Sequence, residues 1–420
     1  MATSCVPSVG ASSTHDWSVE VVDPDALNAY VYGSHLPVLL DDQGNIHLGY
    51  SANGTVRHAS NAGGSWSTES IGLGSNCDVT MAYDKSGSLH VVSYDFYNSP
   101  GAVQDIVYKD GSWRTYTIPL SITRWASTPT VTFDADGNMH LVYIDLYDIF
   151  NGSFGYTAGR LKHATEQDGV WSTHTVYASN TTIESLAVLV DSQGKFHCAF
   201  TEALTPASGS ADQSPRVVYL TDAEGSWKSE TVSQTNGSYF SLGYVSLSLD
   251  SGDHPVIGFS DWTGSFNLGT RVNETIYVAT KESNVWTRSS VIQDFRIQEF
   301  AMALDSHDKT HMAIHDKNND DPLYATNAAG SWVVERIQSV GLTGMSPSIL
   351  VDSNDHPHIF FLNYTGSYYE PGMRLMHATF TSQASGIAGE LSDPLVLAAT
   401  AVSAVAALVL GMVVSRRMRR

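Results

Sequence analysis

Four kinds of side chain stand in this sequence at places where chemistry could be done. Six histidines, His47, His90, His140, His197, His311 and His358, each follow an aspartate by six residues, in phrases such as LLDDQGNIHLGY, TFDADGNMHLVY and ALDSHDKTHMAI. Imidazoles can bind a metal or move a proton. A residue that keeps one position in six of seven repeats, however, is expected to serve each unit structurally, by bonding to the adjacent turn. Five residues beyond that position come Asp95, Asp145, Glu202, Asp261 and Asp316, with Ala52 and Asn363 in the other two units. These carboxylates either accept backbone N–H groups at loop starts or form a ring able to hold Ca²⁺ or a cationic ligand. Arginines are scarce; Arg160, Arg216 and Arg374 share a further repeat position, while Arg124 and Arg296 lie between units. A guanidinium fork suits bidentate recognition of a carboxylate. Trp125 and Trp262 stand outside the repeat's own tryptophan position and offer flat faces to sugar rings. The ligand-binding candidates are therefore Arg124, Arg160, Arg216, Arg374, Asp95, Asp145, Glu202, Asp261, Asp316, Trp125 and Trp262. No catalytic residue, resident metal or other cofactor is assigned, Ca²⁺ being the one option.

The elements that must carry these residues follow from the repeat. The leading aspartates are Asp41, Asp84, Asp134, Asp191, Asp250, Asp305 and Asp352, 43 to 59 residues apart. Each phrase reads as two alternating strands joined by a tight turn of Asn, Asp and Gly. A third strand follows, as in RLKHAT and RLMHAT, and a Gly–Trp turn opens a fourth, as in DGSWRTYTI and EGSWKSETV. Four strands in each of seven units describe a seven-bladed β-propeller. Six strand-opening tryptophans follow the first six phrases, and the seventh, Trp17, stands in HDWSVEVV at the other end of the chain. The N-terminal strand is thus expected to complete blade seven and close the ring, leaving no free edge. The fold class is all-β, a propeller over residues 15–380. With first strands innermost, the Asp turns lie at the bottom and the long inter-strand loops, including DLYDIFNGSFGYTAGR and DWTGSFNLGTRVNET, at the top. The repeated tryptophans are expected in the core.

The turns SNAGGSW, TDAEGSW and TNAAGSW resemble a shortened Asp-box, the BNR repeat of sialidase-superfamily propellers, over Asp16 to Phe380. The resemblance implies the propeller, and sialidase activity much less, because a fold hosts many functions. FRIQ, containing Arg296, is similar to the FRIP motif with which sialidases begin a carboxylate-gripping arginine triad, but Gln298 replaces the proline and it precedes blade six.

Composition bounds the partners. There are 43 Asp and Glu against 22 Lys and Arg in 420 residues, a formal charge of −21, which repels phosphate backbones and argues against nucleic acid. Three cysteines are too few for a disulfide framework. Leu395 to Val414 is an uncharged apolar run followed by Arg416, Arg417, Arg419 and Arg420. As a helix it would rise roughly 30 Å, a bilayer's hydrocarbon thickness. The expected layout is a disordered tail at 1–14, the propeller, a linker at 381–394, one transmembrane helix at 395–415 and a basic cytoplasmic tail at 416–420, with the propeller outside the cell membrane. The opening MATSCVPSVGASST has no apolar signal core, so tail-first insertion is the alternative. Six N-x-S/T sequons accompany the expectation of export, all placed in top-side loops. Two functions remain: a non-catalytic surface module binding an extracellular glycan or surface protein, or a sialidase-like glycoside hydrolase or polysaccharide lyase using the same face.

Overall fold

The computed structural model describes residues 15–26, 35–74, 77–95, 101–122, 129–151, 154–203, 215–234, 244–263, 273–295, 297–337, 342–365 and 372–380. The chain divides into two compact units, Met1–Thr379 and Phe380–Arg420. The expected tail at 1–14 and everything from 381 onward, including the 395–415 span, lie outside the described residues. Among the described residues no helix is long and apolar enough to cross a membrane.

The first unit begins with β1 (Ser18–Asp23). Blade one holds β2 (Val38–Leu40), β3 (Ile46–Ala52), β4 (Thr55–Ser60) and β5 (Ser67–Leu73). Blade two holds β6 (Cys77–Tyr83), β7 (Leu89–Asp95), β8 (Gly101–Lys109) and β9 (Ser112–Ile122). Blade three holds β10 (Thr130–Phe133), β11 (Met139–Asn151), β12 (Phe154–Gln167) and β13 (Val170–Ala178). Blade four is β14 (Thr182–Val190), β15 (Phe196–Ala203), β16 (Arg216–Thr221) and β17 (Lys228–Gln234), and blade five β18 (Val245–Leu249), β19 (Pro255–Thr263), β20 (Asn273–Glu282) and β21 (Val285–Phe295). Blade six is β22 (Ile297–Leu304), β23 (Thr310–Asp316), β24 (Asp321–Thr326) and β25 (Val333–Arg336); β26 (Leu342–Val351), β27 (Pro357–Tyr364) and β28 (Met373–Thr379) belong to blade seven. Seven four-stranded antiparallel sheets result, and the first strands of successive blades touch in a closed ring from β2 round to β26 and back. The seven-bladed expectation holds. So does the closure, because β1 pairs with β28 from Ser18↔Thr379 to Asp23↔Leu375.

The repeated Asp shapes each first turn. Asp41 Oδ1 accepts the N–H groups of Gln43 (2.9 Å) and Asn45 (2.7 Å), and Asp84, Asp134, Asp191, Asp250, Asp305 and Asp352 do the same two and four residues on. The third residue after each Asp is left-handed. It is Gly in blades one to four but Asp253, Asp308 and Asp355 in the rest, with φ 61°, 58° and 63°. Aspartate tolerates that region at a cost, and here each one clasps the preceding blade. Ser192, Ser251 and Ser306 donate their Oγ–H to Asp253, Asp308 and Asp355 at 2.5, 2.6 and 2.9 Å.

The repeat histidines bridge the turn to the third strand. Nε2 of His140, His197 and His311 lies 3.2 Å from the turn carboxylate of its own blade. Nδ1 meets His163 (2.9 Å), Tyr219 (2.6 Å) and Tyr324 (2.5 Å) respectively. The structural reading of these residues stands. The tryptophans differ from expectation: Trp66, Trp227 and Trp286 are half-buried, packed against the apolar clusters between blades rather than inside them. Their N–H groups explain the position. Trp66 donates to Glu20 at 2.9 Å, Trp286 to Glu230 at 3.0 Å and Trp17 to Glu335 at 3.0 Å, each across a blade boundary. The full-burial expectation omitted that polar edge, which must find an acceptor.

Candidate functional site at the top of the propeller axis

The first strand of every blade enters from the top, and the residue six positions before the turn Asp marks that entrance. Counted this way the ring reads His35, Asp78, Thr128, Ser185, Tyr244, Glu299 and Ser346; Thr128 lies outside the described residues. Three strands carry a bulge at this place. Pairing skips a residue between Ile183 and Leu186, between Ile297 and Phe300, and between Met345 and Ser348. A bulge re-aims a side chain that regular pleating would bury, so Ser185, Glu299 and Ser346 owe their orientation to it.

The side chains of blades five, six, seven and one converge. Glu299 accepts the Ser346 N–H at 2.6 Å and lies 3.7 Å from His315 Nδ1 on the neighbouring strand β23. Tyr244 hydrogen-bonds to the same carboxylate. His35 reaches the backbone of Val245 and Pro347, in blades five and seven, and its ring centroid stands 6.4 Å from that of Tyr244. Burial alone would raise the Glu299 carboxyl; the neighbouring His315 imidazole and the Ser346 N–H outweigh it and hold the group below its ordinary value. Burial pushes His35 down against the opposing pull of Glu299, so it is neutral near pH 7. Burial, with Glu299 beside it, pushes the Tyr244 hydroxyl up and keeps its proton on. His315 is buried, and its Nε2 has no hydrogen-bond partner among the described residues; Asp320 Oδ1 is 3.9 Å away. A neutral imidazole, an ionised carboxylate and a phenol donor thus stand together, the complement of groups that general acid–base chemistry needs.

Of the residues singled out from the sequence, the described carboxylates and Trp262 stand on the second strands of their blades and Arg160, Arg216 and Arg374 on the third. Glu202 opposes Arg216 across β15 and β16 and pairs with it. Tyr177 donates to Glu202 at 2.7 Å and receives Arg216 Nη2 at 3.1 Å. Asp261 has Arg288 at 3.7 Å and Asp316 has Arg336 at 3.6 Å. Asp316 also accepts the N–H groups of Asn318 and Asn319, the loop-start role expected for it. Asp145 faces Arg160, whose guanidinium lies 3.9 Å from the Tyr147 ring centroid. Asp95 ends β7 opposite Ala102, and Arg374 is exposed opposite Asn363. Trp262 pairs with Glu274 along β19. Arg124, Trp125 and Arg296 lie outside the described residues.

The carboxylates thus belong to five separate sheets, and Glu202, Asp261 and Asp316 each have an arginine of their own blade within 4 Å. The Tyr177–Glu202–Arg216 contact brings together a tyrosine and a carboxylate that chain order alone could not pair. The loop written as DLYDIFNGSFGYTAGR is a continuation of the β11–β12 ladder up to Asn151↔Phe154, not an irregular loop. The sequon residue Asn363, expected in a top-side loop, is buried in β27. His35, Tyr244, Glu299 and His315 were not among the expected residues, although the turn-Asp register locates the first three. His315 is marked too, since the fourth position after the repeat histidine reads Ser51, Tyr94, Ile144, Thr201, Ser260 and Leu362 elsewhere.

No protein-family model matches the sequence, and no curated protein matches it significantly. Solved structures do share the fold. A polysaccharide lyase, the PL25 ulvan lyase bound to GlcA(1-4)Rha3S, superposes with a TM-score of 0.55 at 11% identity, covering 84% of this chain and 94% of its own. The polysaccharide lyase Uly1 gives 0.52 at 10% identity over 86% and 98%. A fungal alcohol oxidase of the AA5 family, in complex with copper, gives 0.54 at 11% identity over 89% and 79%. At such identities the likeness is one of fold.

Proposed function

We propose that this chain is a carbohydrate-active propeller that takes a glycan at the top of its axis and cleaves a glycosidic bond by general acid–base catalysis. The observation that carries the reading is the meeting of His35 of blade one, Tyr244 of blade five, and Glu299 and His315 of blade six, with Glu299 standing at the bulge of β22. The Tyr244 hydroxyl is placed to protonate a leaving oxygen. His35, neutral, is placed to accept a proton from water or from a sugar carbon beside a carboxylate. Glu299 orients the tyrosine and balances charge formed on His35. The polysaccharide lyases that share the fold act on polysaccharide, which supports the same class for this chain. The apolar run 395–414 with its trailing arginines supports a membrane-anchored protein with the propeller outside the cell.

The test is a panel of neutral, uronate-containing and sulfated polysaccharides incubated with the full chain, with products read by mass spectrometry and ultraviolet absorbance. Hydrolysis adds water and elimination leaves an absorbing double bond, so the products name the reaction. Glu299→Gln and Tyr244→Phe are each expected to lower turnover by about 10²-fold or more. Cleavage at the wild-type rate by both variants would overturn the assignment of the site. Binding of a glycan with no product at all would make the protein a lectin-like module instead.

A further inference from the structure

The strand that closes the ring is held by a line of titratable groups. His358 on β27 and His377 on β28 lie with Nδ1 and Nε2 2.9 Å apart and their rings 6° from parallel. His377 Nδ1 donates to Glu20 on β1 at 2.9 Å. Glu20 also accepts the Trp66 N–H of blade one at 2.9 Å. At the far end, Asp352 stands 3.6 Å from His358 Nε2, with His356 also 3.5 Å from that carboxylate. His377 itself is buried against Phe360 and Trp66. Two neutral imidazoles complete this line: His358 donates to His377, and His377 donates to Glu20. One further proton can be housed on His358 Nε2, facing Asp352, with the other hydrogen bonds of the line unchanged. A second would place two cations side by side in a buried site.

We propose that the Asp352–His358–His377–Glu20 line is an acid-sensitive latch, so that protonation of the histidine pair releases β1 from β28 while the other blades stay formed. The opened strands take up two protons freely and the latched ones do not, so acid favours opening by mass action. The remaining ties of β1 limit the release to its edge. Asp23 is held by Tyr50 and Arg57 at 2.6 and 2.9 Å, and Trp17 and His15 by Glu335 at 3.0 and 2.7 Å. Similar histidine pairs in blade one (His47–His58) and blade three (His140–His163) join strands of a single continuous blade. The blade-seven pair alone clasps a strand from the other end of the chain. His35 follows β1 by twelve residues, so release would also loosen the channel-mouth cluster; that consequence rests on the function proposed above, whereas the latch does not.

Hydrogen exchange of the full chain, corrected for intrinsic rates, tests the latch without any substrate. Burial, with His358 alongside, holds His377 at about 4, against about 6.5 in an opened strand. Protection of residues 18–23 and 373–379 is therefore expected to fall about 30-fold between roughly pH 7.5 and pH 5, with β14 to β21 unchanged. His377→Gln, which cannot charge, is expected to remove most of that fall. His358→Gln serves the same purpose should the first variant fail to fold, and His163→Gln should leave the response of β1 intact. An acid response that is absent in the wild type, or equal in the wild type and in a folded His377→Gln or His358→Gln protein, overturns the latch. Loss of protection in all blades together would also overturn it, as general acid unfolding.

Discussion

Removing one oxygen atom from Tyr50 measures how firmly the propeller ring is closed. Tyr50 is 2% exposed and donates its hydroxyl at 2.6 Å to Asp23, itself 1% exposed, so the bond joins the closing strand to blade one in a dry site. A hydrogen bond to a charged group contributes about 1.5–3 kcal/mol. Asp23 would keep Arg57 at 2.9 Å and the Asp25 N–H at 3.0 Å, so the carboxylate is not orphaned and Tyr50→Phe should cost about 2 kcal/mol. Phenylalanine fills the same space and adds no cavity term. With an unfolding entropy of about 2.1 cal/mol/K per residue, that cost lowers the melting temperature of a propeller this size by about 3 °C. Differential scanning calorimetry at several scan rates is the assay, because a large β-protein can unfold irreversibly. Tyr177→Phe is the control: it removes a comparable bond to Glu202 away from the closure and should leave exchange at β1 untouched. A melting temperature for Tyr50→Phe within about 1 °C of wild type would refute the claim that Asp23 clamps the ring.

Two further outcomes follow from the bottom of the propeller and from its buried histidines. Asp308→Ala should destabilise by about 1–2 kcal/mol more than Asp308→Gly, because both inherit the left-handed φ of 58° and only alanine has a Cβ to clash there; equal melting temperatures would show that the turn relaxes instead. In blade three, burial and the neighbouring His140 and His174 hold His163 down to about 4. The folded state therefore binds fewer protons than the unfolded chain below about pH 6.5, and stability falls as pH drops from there toward 4, by about 2 kcal/mol at pH 5. His163→Gln should flatten that part of the stability profile, as read from urea unfolding at several pH values.

The parts of the fold that were legible in the sequence are those a repeat must restate seven times. Each turn needs an Asp to accept two N–H groups and a left-handed residue three positions on, so Asp41 and its six equivalents announced the strands around them. The closure was legible because one tryptophan was displaced from the end of the chain to Trp17. The clasp between Ser251 and Asp308 was not read, since it links side chains 57 positions apart. The polar edge of the tryptophans was missed for the same reason: Glu20, Glu230 and Glu335 belong to the neighbouring blade.

The site was harder to read because repetition and chemistry pull in opposite directions. Carboxylates that recur, as at Asp261 and Asp316, meet recurring needs and are largely occupied by arginines or loop N–H groups of their own blade. Chemistry at the axis requires unlike groups from unlike blades, and such groups leave no periodic trace. Their trace is a broken register: a ring position that reads Ser or Thr in three blades holds His35, Tyr244 and Glu299 in three others. The bulges at Glu299 and Ser346 reinforce this. Each interrupts a ladder whose regular continuation would be more stable, and together they turn the Ser346 N–H and the Glu299 carboxylate toward each other at 2.6 Å. A propeller whose neighbouring blades pack through continuous apolar clusters can tolerate that disorder of pairing at the top. The residues that gain from it are the ones whose substitution should change turnover while leaving the melting temperature nearly unmoved.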